Sequence, residues 1–97
     1  MVTFDIRVNG TPLYRTGVGD FGLLTAELMW HRIQTDAGPV AEDLSIHATA
    51  LLSSEHSSWP RVALKVGDEV LIRVVDADEF DEPSQSGPLE SFSPDRF

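Results

Sequence analysis

Val2, Phe4, Ile6 and Val8 alternate with Thr3, Asp5, Arg7 and Asn9, the two-residue period of a strand with one buried face. Asn9-Gly10 follows. That pair closes two-residue hairpins because both residues accept positive φ. Pro12 has no N–H to give a ladder, so the return strand over residues 13–16 is expected at a sheet edge. Residues 17–22, with three glycines, read as a connection. Residues 23–33 carry two patterns at once. Leu24, Ala26, Leu28 and Trp30 alternate with Thr25, Glu27, Met29 and His31, as in a strand. Leu23, Ala26, Trp30 and Ile33 also make a helical stripe of good helix formers. Residues 44–53 repeat the ambiguity: Ile46, Ala48, Ala50 and Leu52 alternate with Ser45, His47, Thr49 and Leu51, and the Ser and Thr content favours a strand. Residues 34–43 and 53–60 read as loops, and 61–64 as a short strand. Val70, Ile72 and Val74 alternate with Leu71, Arg73 and Val75 in the clearest strand of all.

A chain of about six short strands must pack two sheets or close on itself to bury its apolar faces. The expected fold is all-β, a small β-sandwich or partly open barrel. The alternative is an α+β fold with residues 23–33 helical.

Length and charge narrow the picture. The 97 residues make one domain, and 41% apolar residues suffice for one core. Sixteen acids against 7 bases give a net charge of −9, a surface that repels phosphate backbones, so no nucleic-acid partner is expected. The composition shifts at the end of the last strand. From residue 76 on stand Asp76, Asp78, Glu79, Asp81, Glu82, Glu90 and Asp95 against the single Arg96, with Pro83, Pro88 and Pro94 among them. The expected organisation is a single β domain over 1–76 and an acidic Pro/Ser-containing tail over 77–97. There is no cysteine, no basic-then-apolar start and no run of about 18 apolar residues. A cytoplasmic location without membrane contact is the expectation.

Candidate chemistry is sparse. The glycines of 17–22 lack the Lys-Ser/Thr of a phosphate loop. Val66-Gly67-Asp68-Glu69-Val70 reads as a turn entering a strand, Asp68 bonding nearby amides. His31, His47 and His56 lack metal-ligand spacing. If both long segments are strands, His31 and His47 point away from the apolar rows and can be cross-strand neighbours on one outer face. Asp76, Asp78, Glu79, Asp81 and Glu82 lack the Gly-turned pattern of a calcium loop. No Gly-x-Ser-x-Gly elbow appears. No catalysis, metal or cofactor is expected. Two features remain for binding. His56-Ser-Ser-Trp59-Pro60 offers a large flat ring in a loop, either capping the core or anchoring a partner. The acidic run sets Phe80 between Asp78 and Asp81, an apolar residue among carboxylates suited to a basic groove. The candidate binding residues are therefore His56, Trp59, Asp78, Phe80 and Asp81.

Val-Asn-Gly near the start, Gly17-Val-Gly-Asp-Phe-Gly22, His56-x-x-Trp59 and Val66-Gly-Asp-Glu-Val70-x-Ile-Arg-Val-Val with Asp-Glu-Pro after it resemble a group of short, uncharacterised bacterial proteins. The resemblance spans roughly residues 2–83 and brings no assigned activity, so it transfers no functional residue. It implies a bacterial cytosolic source and suggests that His56 and Trp59 belong together. Ala48 and Ala50 stand where that group usually has glycine.

These readings favour a non-catalytic protein-interaction module that binds a protein partner or itself as a homo-oligomer. One version is inhibitor- or immunity-like, with carboxylates mimicking phosphates before a basic enzyme. The alternative is a small-ligand or carbohydrate-binding β domain using Trp30, Trp59 or Tyr14.

Overall fold

A computed structural model describes residues 1–34, 36, 38 and 40–88. It is all-β, with eight strands among those residues: β1 Val2–Val8, β2 Thr11–Gly17, β3 Leu23–Gln34, β4 Val40–Leu52, β5 Glu55–Ser58, β6 Val62–Ala63, β7 Val70–Asp76 and β8 Gln85–Pro88. They form two antiparallel sheets, one ordered β2-β1-β7 and the other β3-β4-β5-β8 with β6 also on β4. The sheets stack as a sandwich and do not close into a barrel. No helix among the described residues is long and apolar enough to cross a membrane.

The alternation seen in the sequence becomes the two faces of each sheet. Asn9 and Gly10 form the β1–β2 turn at φ 53° and 81°, the left-handed pair that a two-residue hairpin needs. Asn9 then ties this turn to the one before β7. Its side-chain oxygen accepts from the Glu69 N–H at 2.9 Å and its amide donates to Asp68 Oδ1 at 3.0 Å. Asp68 Oδ2 also accepts from the Lys65 N–H at 2.8 Å, so residues 65–69 are the turn their sequence implies.

Residues 23–33 are strand, and the helical alternative fails. They pair with β4 without interruption from Leu23 opposite Leu51 to Gln34 opposite Val40. A helix would bury one narrow stripe of this segment. The strand instead satisfies its backbone along one edge and lines Leu24, Ala26, Leu28 and Trp30 up beside Ala50, Ala48, Ile46 and Leu44. Pairing overrides local helix propensity here.

The core lies between the sheets: Ile6 and Tyr14 from the first, Ile46, Ala48 and Ala50 from β4, and Trp59 after β5. The alanines are core residues, and the Ala48 carbonyl accepts the Trp59 backbone N–H at 3.0 Å.

Three expectations need correction. Residues 40–43, read as loop, are the first residues of β4. The strand count rises from six to eight because β5 falls in a segment read as loop and β8 in one read as tail. Neither Glu55-His-Ser-Ser nor Gln85-Ser-Gly-Pro shows an apolar period. The domain also does not end at residue 76. The chain after β7 runs back along β2 and then adds β8 to β5, opposing Glu55 with Pro88 and Ser58 with Gln85. The rest of the expected tail, 89–97, lies outside the described residues.

Candidate functional site

One flank of the sandwich is closed by the segment between β7 and β8. Trp59 is 1% exposed, and its indole Nε1–H donates to the Asp81 carbonyl at 3.0 Å. Phe80 meets the Trp59 ring edge-on, with centroids 6.1 Å apart. Asp81 clasps β2 through both of its ends. Its backbone N–H donates to the Arg15 carbonyl at 2.9 Å, and its Oδ2 accepts the Arg15 backbone N–H at 2.9 Å. Gly17 makes room for this strap, since a Cβ there would sit 2.5 Å from Phe80 Cδ2. The Tyr14 hydroxyl donates to the Pro60 carbonyl at 2.7 Å, and Ser84 donates through both N–H and hydroxyl to the Ser58 carbonyl. Burial of the Tyr14 phenol raises its pKa above the ordinary 10.0.

Three of the expected binding residues therefore meet, but as a lock. The Trp59 ring packs on Phe80 and bonds the Asp81 carbonyl, and Asp81 bonds β2. Asp78 is exposed beside the chain start, away from that lock. His56 and Trp59 do not share a site. His56 stands in β5 opposite Leu51, on the outward face of its sheet, whereas Trp59 turns into the core. The cavity beside the lock, lined by Val18, Ala50, Leu52, Trp59 and Phe80, holds about 170 Å³. Trp59 and Tyr14, two of the three aromatics considered for ligand stacking, are internal.

His31 and His47 share the outward face but are not neighbours. His31 lies opposite Asp43 and His47 opposite Glu27, well along the same ladder. His47 sits under Arg61, whose Nη2 lies 3.4 Å from its Nδ1 and whose Nη1 donates to Ser45 Oγ at 3.1 Å. Burial, and then the guanidinium, lowers the His47 pKa below the ordinary 6.5. Among the described residues no group of three His, Cys, Asp or Glu is placed to hold a metal ion. On the outward face of the other sheet, Arg7 and Arg15 approach the nearly buried Asp5 at 3.5 and 3.8 Å.

The opposite flank is open. Leu28 stands beside the fully buried Ile46, yet is 61% exposed. Trp30, beside Leu44, is also 61% exposed, and its Nε1–H donates to Glu42 Oε2 at 2.7 Å. On β7 the core-facing Ile72 and Val74, beside Ile6 and Phe4, are exposed as well. A groove of about 410 Å³ opens between the sheets at one end of this flank, lined by Val2, Phe4, Val18, Phe21 and Leu24. Among the described residues nothing pairs with the outer edges of β3 and β7. Leu28 as a surface residue was missed by sequence reasoning. Its alternation marks a core-facing row and says nothing of how far the covering sheet extends.

The chain matches no protein-family model, no curated protein and no solved structure.

Proposed function

We propose that this protein is a non-catalytic interaction module whose working surface is the open flank of the sandwich, centred on β3. The observation that carries this reading is the exposure of Leu28 and Trp30 on the side of the sheet that elsewhere forms the core. Contiguous apolar surface beyond a few hundred Å² is uncommon on a lone soluble domain and marks binding surfaces. Trp is one of the residues enriched at the centre of such contacts. The edge of β3 adds a row of backbone donors and acceptors ready for a further strand.

The densest run of acid lies elsewhere. The exposed carboxylates of Asp76, Asp78, Glu79, Asp81 and Glu82 run from the last residue of β7 onward, from beside the chain start to the strap on β2. They steer approach and keep the chain soluble, while the apolar flank supplies the contact.

The test is sedimentation of the fluorescently labelled chain in buffer and in an extract of its native cell. Wild type is expected to sediment as a species larger than one 10.7 kDa chain in at least one of the two. The Leu28→Ser/Trp30→Ser double variant should return to the size of one chain with its circular dichroism unchanged. A wild type that sediments as a single chain in both media would sink the reading.

A further inference from the structure

We infer that the occupant of the open flank is a second copy of this chain, added antiparallel through the β3 edge with its two-fold axis at Met29. The inference rests on the interaction-module reading above and adds the identity of the partner and its register.

β3 is a long edge whose first eight residues, 23–30, carry a single charge, Glu27. Sheet edges are normally blunted by proline, lysine, a bulge or short length. The β2 edge shows how: it carries Pro12, its ladder with β1 shifts register between Ile6 and Arg7, and Asp81 caps it. The 12 residues of β3, Leu-Leu-Thr-Ala-Glu-Leu-Met-Trp-His-Arg-Ile-Gln, contain neither proline nor lysine, and their pairing with β4 is unbroken.

The strand is also complementary to itself. In an antiparallel pair, residues directly opposite share a face. With Met29 opposite Met29, Leu28 falls opposite Trp30 of the second copy on the core-side face. Glu27 falls opposite His31 on the outward face, where an imidazole N–H can donate to the carboxylate. The rows already present within each copy then continue across the joint. Ile46 beside Leu28 meets Trp30 beside Leu44, an unbroken apolar row over four strands. His47 beside Glu27 meets His31 beside Asp43, alternating imidazole and carboxylate.

Other registers lose this match. Centring on Leu28 sets Glu27 against Met29. Centring on Trp30 sets Leu28 against Arg32, where the Met29 register gives Arg32 the smaller Ala26. Centring on Glu27 opposes two like charges. β7 is the rival edge. Its Arg73 can meet Glu69 about Leu71, but the strand has 7 residues against the 12 of β3. The product is an isologous dimer with one continuous sheet. Because the chain carries −9 overall, screening should strengthen this association, whereas docking to a basic partner weakens as salt rises.

The chain has no cysteine, which makes a single introduced thiol a register gauge. Opposite Cα atoms in an antiparallel pair are about 4.5–5.5 Å apart, within the span of a disulfide. Met29→Cys should therefore give a covalent dimer on mild oxidation. Ile33→Cys and Val74→Cys should stay single chains on a non-reducing gel. Light scattering on wild type should give twice the 10.7 kDa of one chain, with the share of dimer rising with salt. Glu27→Lys and His31→Glu should each shift the balance toward single chains, and the two together should restore the dimer. A wild type that scatters as a single chain at millimolar concentration overturns the inference, as does cross-linking through residue 74 in place of 29. If Trp30-dependent sedimentation in extract persists in either case, the interaction-module reading stands and only the second copy is wrong.

Discussion

The two tryptophans of this protein occupy opposite flanks of one sandwich and have opposite fates. Trp59 is 1% exposed and Trp30 is 61% exposed. Both use their indole N–H, Trp59 on the Asp81 carbonyl and Trp30 on the Glu42 carboxylate. The difference lies in where the chain runs beside each flank. Beside Trp59 it returns after β7, fits Phe80 into the space that Gly17 leaves, and clasps β2 through Asp81. Beside Trp30 no segment among the described residues returns, and a core-facing row runs on into solvent. The flank left uncovered by the described residues keeps Leu28, Trp30, Ile72 and Val74 exposed.

The sharpest way to break the comparison is to remove each ring. Trp59→Ala should cost about 3–5 kcal/mol, since it empties a fully buried site whose neighbours cannot collapse completely. Trp30→Ala should change the stability of the single chain by no more than about 0.5 kcal/mol. Urea unfolding at high dilution compares the two directly. Similar losses would mean that the flanks are not different in kind.

A subtler intrusion tests the strap. Gly17→Ala puts a methyl group against the Phe80 ring, and overpacking of this kind costs about 1–3 kcal/mol. Faster hydrogen exchange at Asp81 and Ser84 should accompany it, because their N–H groups bond across this seam. The closed flank also holds one uncompensated feature. The Thr16 hydroxyl is buried and makes no hydrogen bond. Thr16→Val should therefore raise the unfolding free energy by about 1 kcal/mol, read as a higher urea midpoint.

The smallest effect belongs to the outward face of the second sheet. His47 has its pKa lowered by burial and by Arg61, so the folded chain holds its proton less tightly than the unfolded chain does. Its contribution is whole above the unfolded value near 6.5 and is lost as pH falls from there through the lowered folded value. His47→Gln should flatten the dependence of stability on pH as pH falls below about 6.5. An unchanged slope would assign the acid sensitivity to other groups.

Much of this fold can be read from period alone. β1 and β7 follow from alternation, and the β1–β2 turn, with β2 as its return strand, from Asn9-Gly10. β5 and β8 cannot be read that way, because four-residue polar segments carry no period and become strands only against a neighbour. The sequence pattern also singled out Trp59, Phe80 and Asp81 as candidates, and they do meet. Their direction was not legible. An aromatic in a loop and another in an acidic run look available until the chain brings one to the other, and that contact is set by the return path after β7. Exposure at Leu28 was hidden for the complementary reason: alternation fixes which way a side chain points, and only the opposite sheet decides whether it is covered.

The central claim is that the β3 flank is covered by another chain in solution. Amide hydrogen exchange of the wild type, tracked from micromolar to millimolar protein, tests it most directly. Protection across residues 25–33 should rise with concentration, while β2 and β8 exchange at constant rates. Equal and concentration-independent exchange along β3 would contradict the claim.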